Sequence, residues 1–188
     1  MNLKDLSFTR EWSLFLDRDG VISLRIMDGY VTTWEDFHFI DGVLDAMADL
    51  SRIFGHIFIV SNQQGVGKGR MSAESLKKID NLMKQEITRR RGRIDASYYS
   101  PYLESENHPD RKPGTGMGLK AKSEFPSVDF SRSVMVGDSE SDIEFGKKLG
   151  MITVLISDEE KLTGLADFRF RSLIDFSIEL KSEINRRP

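Results

Sequence analysis

The chain has 188 residues, enough to bury a substantial core, and is read as a single domain over residues 1–188. Its 27 Lys+Arg against 30 Asp+Glu give a net charge of -3, which supplies no global field for nucleic acid or an anionic membrane, so any anion site must be local. The absence of cysteine excludes disulfides and thiolate metal sites. Met1 to Asp5 lacks the apolar core of a secretion signal, and no apolar run approaches the roughly 20 residues that span a bilayer, so a cytoplasmic protein is expected.

Short apolar runs alternate with amphipathic stretches, which predicts an α/β domain on a mostly parallel sheet. Trp12 to Leu16 is the first strand, and residues 22–40, with Gly29, Tyr30 and Trp34, form an irregular flap. Asp41-Gly42 opens a helix with Val43, Met47, Leu50 and Phe54 on one face, and Gly55 ends it. His56 to Val60 is the second strand. After a glycine-rich loop, Ser72 caps a helix running to Arg89-Arg90-Arg91, a basic end favoured by the helix dipole and exposed to solvent. Ala96 to Tyr99 is the third strand, residues 100–114 form a loop, and Met117 to Phe125 is a short helix. Ser133 to Val136, a helix over Glu140 to Leu149, a strand over Ile152 to Ile156, an edge strand over Asp167 to Phe170 and a helix over Ser172 to Ile184 complete the chain.

Four segments carry the chemistry: Asp17-Arg18-Asp19-Gly20-Val21, Ser61-Asn62, Arg111-Lys112-Pro113 and Gly137-Asp138-Ser139-Glu140-Ser141-Asp142. Asp17, Ser61 and Asp138 stand at the carboxyl ends of strands, where open α/β sheets bind ligands. A phosphate ester repels nucleophiles, so a carboxylate attacks it only where cations neutralise its oxygens. Mg²⁺ and a lysine would supply that charge. Magnesium takes oxygen ligands and keeps several waters, and Asp17 and Asp138 fit as its carboxylates.

These segments resemble motifs I to IV of the haloacid dehalogenase (HAD) superfamily of phosphohydrolases. The resemblance implies a Rossmann-like three-layer α/β/α sandwich with a mostly parallel sheet and no large cap domain. It makes Asp17 the nucleophile that forms an aspartyl-phosphate and Asp19 the acid/base. Ser61 becomes the phosphoryl-binding hydroxyl and Lys112 the motif III cation. Asp17, Asp19 and Asp138 become the Mg²⁺ group, with Asp142 an outer-shell acid orienting a metal water or Lys112. Asn62, Arg111, Lys68 and Arg70 are the expected substrate contacts.

A closer likeness spans Leu14 to Leu155. Gly29-Tyr30-Val31, Phe39-Ile40-Asp41-Gly42-Val43, Ser61-Asn62-Gln63-Gln64-Gly65 and Tyr98-Tyr99 occur, with the four segments, in the order found in the D-glycero-D-manno-heptose 1,7-bisphosphate phosphatases and histidinol-phosphate phosphatases. The expected substrate is thus a small phosphorylated metabolite, first of all a heptose bisphosphate, and the expected state is a monomer. Many members hold zinc with three cysteines and a histidine, whereas Tyr99-Ser100-Pro101-Tyr102 to Asn107-His108-Pro109-Asp110 occupies that region here. No zinc is expected, and local packing should hold the loop. Ser139 also stands where the heptose enzymes tend to carry lysine.

Bland readings stand beside these. Asp-x-Asp-Gly alone is a turn or calcium loop, Ser61-Asn62 a strand-ending turn, and Lys112 a surface lysine. Gly65-Val66-Gly67-Lys68-Gly69 lacks the spacing of a nucleotide P-loop and reads as a lip offering Lys68 or Arg70 to a distal anionic group. His38 and His56 read as polar partners at element edges and His108 as a loop contact. The alternatives are a histidinol-phosphate phosphatase, a nucleic-acid 3'-phosphatase, which the acidic net charge disfavours, and a noncatalytic phosphate-binding module.

Overall fold

Ser13–Leu16 (β1) is buried throughout and has strands on both sides, which is why Leu14-Phe15-Leu16 reads as continuously apolar rather than alternating. The computed structural model describes residues 3–157 and 166–186. The further elements are Val43–Ile53 (α1), His56–Asn62 (β2), Gln64–Gly67 (α2), Ala73–Arg89 (α3) and Ala96–Ser100 (β3). Gly116–Glu124 (α4), Ser133–Gly137 (β4), Glu140–Leu149 (α5), Ile152–Ile156 (β5), Phe168–Phe170 (β6) and Leu173–Asn185 (α6) follow. Every described strand pairing is parallel, in the order β3-β2-β1-β4-β5-β6.

The alternation of side chains along the central strands divides the core. Leu14, Leu16, Ile57, Ile59, Val134 and Val136 join the apolar faces of α1, α3 and α6. Phe15, Phe58, Val60 and Met135 point the other way and meet Met117 and Ala121 of α4 and Phe145 of α5. The result is the expected three-layer α/β/α arrangement. Among the described residues, no helix is long and apolar enough to cross a membrane.

Several boundaries differ from the sequence reading. β1 starts at Ser13, because Trp12 turns into a ring contact with Phe8, centroids 4.6 Å apart. β2 runs two residues further, to Asn62, since β3 continues opposite it and pairs Asn62 with Ser100. The glycine-rich loop contains the short helix α2, and α4 begins at Gly116. Ser72 does cap α3, its hydroxyl accepting from the Ser75 amide.

The strand order reverses between β1 and β4: the chain winds outward through β2 and β3, then returns beside β1. The carboxyl ends of β2, β1 and β4 therefore lie side by side at the switch point. Across this edge lies the flap, tied by bridges from Ser23 to Asp19 and to Phe39. Trp34 packs within the flap, stacked on Phe37 at 5.0 Å, whereas Tyr30 reaches the cavity at the strand ends.

Candidate active site

Asp17 follows β1 directly, and its amide still donates to Val136 O, so its side chain is delivered by the sheet's central ladder. Asp138 follows β4, Ser61 lies within β2, and Asp142 is in the first turn of α5. Together with Lys112 and Asp19 they line one cavity of about 200 Å³. Asn62 and Arg111 also reach it. An adjoining cavity of about 450 Å³ shares Asn62, Arg111, Lys112 and Ser141 and extends under the 100–114 loop.

Lys112 is almost wholly buried. Its Nζ donates to Val60 O at 2.6 Å and lies 2.9 Å from Asp17 Oδ1 and 2.5 Å from Asp142 Oδ1. Burial alone would lower its pKa, but Asp142 and Asp17 outweigh that and raise it, so the lysine remains a cation. Asp17 is pushed up to about 7, first by burial, which the Lys112 charge opposes, and then by the negative charges of Asp142, Asp138 and Asp19. Asp138 is raised by burial and by Asp142, against the counter-effect of Arg25.

Oxygens of Asp17, Asp138 and Asp142 lie within 4.8 Å of one another. Oδ1 of Asp17 and Oδ1 of Asp142 both face the one Lys112 ammonium, so three carboxylates gathered around a single buried lysine leave electrostatic demand for another cation. An all-oxygen, carboxylate-rich set of this kind suits Mg²⁺. Asp142 is the member with both oxygens committed: Oδ2 accepts from the Ser139 amide at 3.0 Å and from its hydroxyl at 2.6 Å.

Gly20 and Gly137 let this cluster form. A Cβ on Gly20, whose φ is +93°, would lie 2.0 Å from Asp138 Oδ2, and one on Gly137 would lie 2.1 Å from the Asp142 Cβ.

The Asp19 carboxylate lies outside the three-acid cluster. Oδ1 accepts from Arg18 Nε and the Ser23 hydroxyl, and Oδ2 from Arg18 Nη2 and Gln63 Nε2, all at 2.8–3.0 Å. Burial pushes its pKa up, but the Arg18 charge and these hydrogen bonds together bring it below the ordinary value. Of its potential metal-binding atoms, the backbone carbonyl is the one these contacts leave for a cation.

Some expected substrate contacts sit elsewhere. Lys68 Nζ donates to the Tyr30 hydroxyl at 3.0 Å, and so meets the cavity through that ring. Arg70 is exposed and off the cavity wall. Arg111 does line the wall, held by a bond from Nη1 to Tyr102 O, and Tyr102 stacks on His108 with centroids 3.3 Å apart. His56 meets the Ser127 hydroxyl.

Three residues escaped the sequence reading. Arg18, fully buried, forks onto Asp19 and donates to Gln63 Oε1 at 3.0 Å, while Gln63 Nε2 also reaches the Ser61 hydroxyl. Its place between two acids was the available signal. Arg25, from the flap, pairs with Asp138, and nothing in the local pattern marks it.

A family model described as HAD-hydrolase-like matches residues 110–168. The chain is 32% identical over 172 residues to a D-glycero-alpha-D-manno-heptose-1,7-bisphosphate 7-phosphatase of Mycobacterium tuberculosis, covering 89% of this chain and 90% of that relative. The chain belongs to the HAD hydrolase family. It is 36% identical to a Campylobacter jejuni phosphatase of the same description, covering 86% of this chain and 91% of the relative. Within the family it is also 33% identical to the D-glycero-beta-D-manno-heptose-1,7-bisphosphate 7-phosphatase of Haemophilus influenzae, covering 90% and 96%. The HAD fold is equally plain in three dimensions. The D,D-heptose 1,7-bisphosphate phosphatase of B. bronchiseptica, crystallised with magnesium and phosphate, superposes with a TM-score of 0.84 at 24% identity, covering 92% of this chain and 99% of that one. The protein is accordingly a phosphatase.

Proposed function

We propose that this phosphatase hydrolyses a small sugar bisphosphate of the heptose 1,7-bisphosphate type, in the cytoplasm, by way of an aspartyl-phosphate on Asp17. The observation that carries the reading is the buried Lys112 held between Asp17 and Asp142, with Asp138 beside them at the end of the neighbouring strand. Relatives named for this substrate, matched over nearly their whole length, support the substrate class.

Asp17 and Asp138, with the Asp19 carbonyl, would hold Mg²⁺. When bound, the ion neutralises phosphoryl oxygens and keeps Asp17 ionised. An Asp17 oxygen attacks phosphorus, and the bond from phosphorus to the sugar oxygen breaks. Arg18 and its hydrogen bonds hold the resting Asp19 carboxyl ionised, so the proton it passes to the leaving oxygen is one it takes up from solvent when substrate binds. In the second half Asp19 takes a proton from water, whose oxygen attacks phosphorus and releases Asp17. Lys112 and the Ser61 hydroxyl steady the equatorial oxygens throughout.

Phosphate release is assayed from heptose bisphosphates, histidinol phosphate and other phosphorylated metabolites. Fastest turnover of a sugar bisphosphate, lost on chelation and in Asp17→Asn, is the expected result. Full activity in Asp17→Asn would remove Asp17 as nucleophile, and faster turnover of histidinol phosphate would replace the substrate.

A further inference from the structure

Arg25 is the flap's charged contribution to the cavity wall. The flap is tied down at Leu24, whose amide donates to His38 O at 2.8 Å, and Arg25 is the next residue beyond that tie. Its Nη1 donates to Asp138 Oδ2 at 3.1 Å, and its side chain remains 61% exposed. The neighbouring Ile26 lines the same cavity.

The other cations at the wall are committed differently. Lys112 is enclosed by Asp17, Asp142 and Val60 O, and Arg111 is held to Tyr102 O. Arg25 faces solvent on a long stem, in the weak kind of pair that exposed ions make. Its partner carboxylate belongs to the three-acid cluster that fits a divalent ion. Two cations therefore have claims on one carboxylate, and the divalent ion has the stronger one. The guanidinium displaced from Asp138 would remain at the cavity mouth, where its planar fork matches an anionic phosphate.

We propose that Arg25 is a specificity-determining residue: it rests on Asp138 until a divalent cation takes that carboxylate, then turns onto the non-reacting phosphate of the substrate. This rests on the bisphosphate reading above.

The test compares wild type with Arg25→Ala in two measurements. Calorimetric titration with Mg²⁺ alone should show about three- to fivefold tighter binding in the variant, because the competing ion pair is gone. At saturating Mg²⁺, the kcat/KM preference for a sugar bisphosphate over the matching monophosphate should fall about tenfold, mainly through KM, as expected for one exposed charged hydrogen bond. Equal or weaker Mg²⁺ binding, or an unchanged preference, overturns the proposal. A wild type that does not prefer bisphosphates overturns the substrate reading instead, and the titration separates the two failures because it needs no turnover.

Discussion

Asn62 grips the backbone of Lys112 from both sides: its Oδ1 accepts from the Lys112 amide at 2.9 Å, and its Nδ2 donates to the Lys112 carbonyl at 3.0 Å. A residue expected to touch substrate thus has both polar side-chain atoms engaged in placing the lysine. Among the described residues no strand pairs with the loop before Lys112, so this pair of bonds sets where Nζ enters the cavity. Asn62→Ala should lower kcat about ten- to a hundredfold, the usual cost of losing an orienting partner, and destabilise the fold by about 1–2 kcal/mol. Steady-state kinetics and urea unfolding measure both, and wild-type kcat would mean that the lysine finds its place unaided.

Lys112 pairs with two buried acids at once. Lys112→Met keeps the side-chain bulk and strands both carboxylates. Removing one partner of a buried pair costs about 3–5 kcal/mol, and loss of a charge at the phosphoryl oxygens costs about a hundred- to a thousandfold in kcat. Urea midpoints within experimental error of wild type would show that the acids had been discharged by protonation instead.

Gly20 approaches Asp138 so closely that any side chain must displace the carboxylate, and its φ of +93° adds backbone strain. Gly20→Ala should weaken Mg²⁺ binding about tenfold or more by calorimetry, while circular dichroism reports a folded protein. Undiminished Mg²⁺ affinity would remove Asp138 from the ligand set.

The Asp17 carboxyl, raised from 3.8 to about 7 mainly by burial, binds its proton more tightly folded than unfolded. The sign follows: the folded protein is favoured below the unfolded pKa, and that advantage is lost as pH rises through the folded value. In EDTA, the Tm of Asp17→Asn minus that of wild type should therefore climb between pH of about 4 and about 7 and level off above about 8. A difference independent of pH would show that Asp17 ionises as readily in the fold as in the open chain.

The sheet and the acids at its strand ends were legible because each depends on local pattern. Apolar runs such as Ile57-Phe58-Ile59-Val60 identify buried parallel strands, and strand order then assembles Asp17, Ser61 and Asp138. The supporting contacts were not, since they join residues far apart in sequence. Arg18 is buried only because Asp19 and Gln63 meet it, and a sequence gives no sign of a guanidinium so enclosed. Arg25 reaches Asp138 across 113 positions through the fold of the flap. Lys68 and Arg70 read as substrate contacts, but neither lines the cavity: Lys68 stops at the Tyr30 hydroxyl and Arg70 is exposed.

The placement of β1 between β2 and β4 divides the site by mechanical security. Asp17 and Asp138 are anchored to ladders in the middle of the sheet, which open last, whereas Lys112 and Arg25 arrive on connecting segments that can loosen separately. Amide exchange should be slowest around Leu16 and Val136 and faster around Arg25 and Lys112, so that a partly opened molecule retains its acids while losing the bases that balance them.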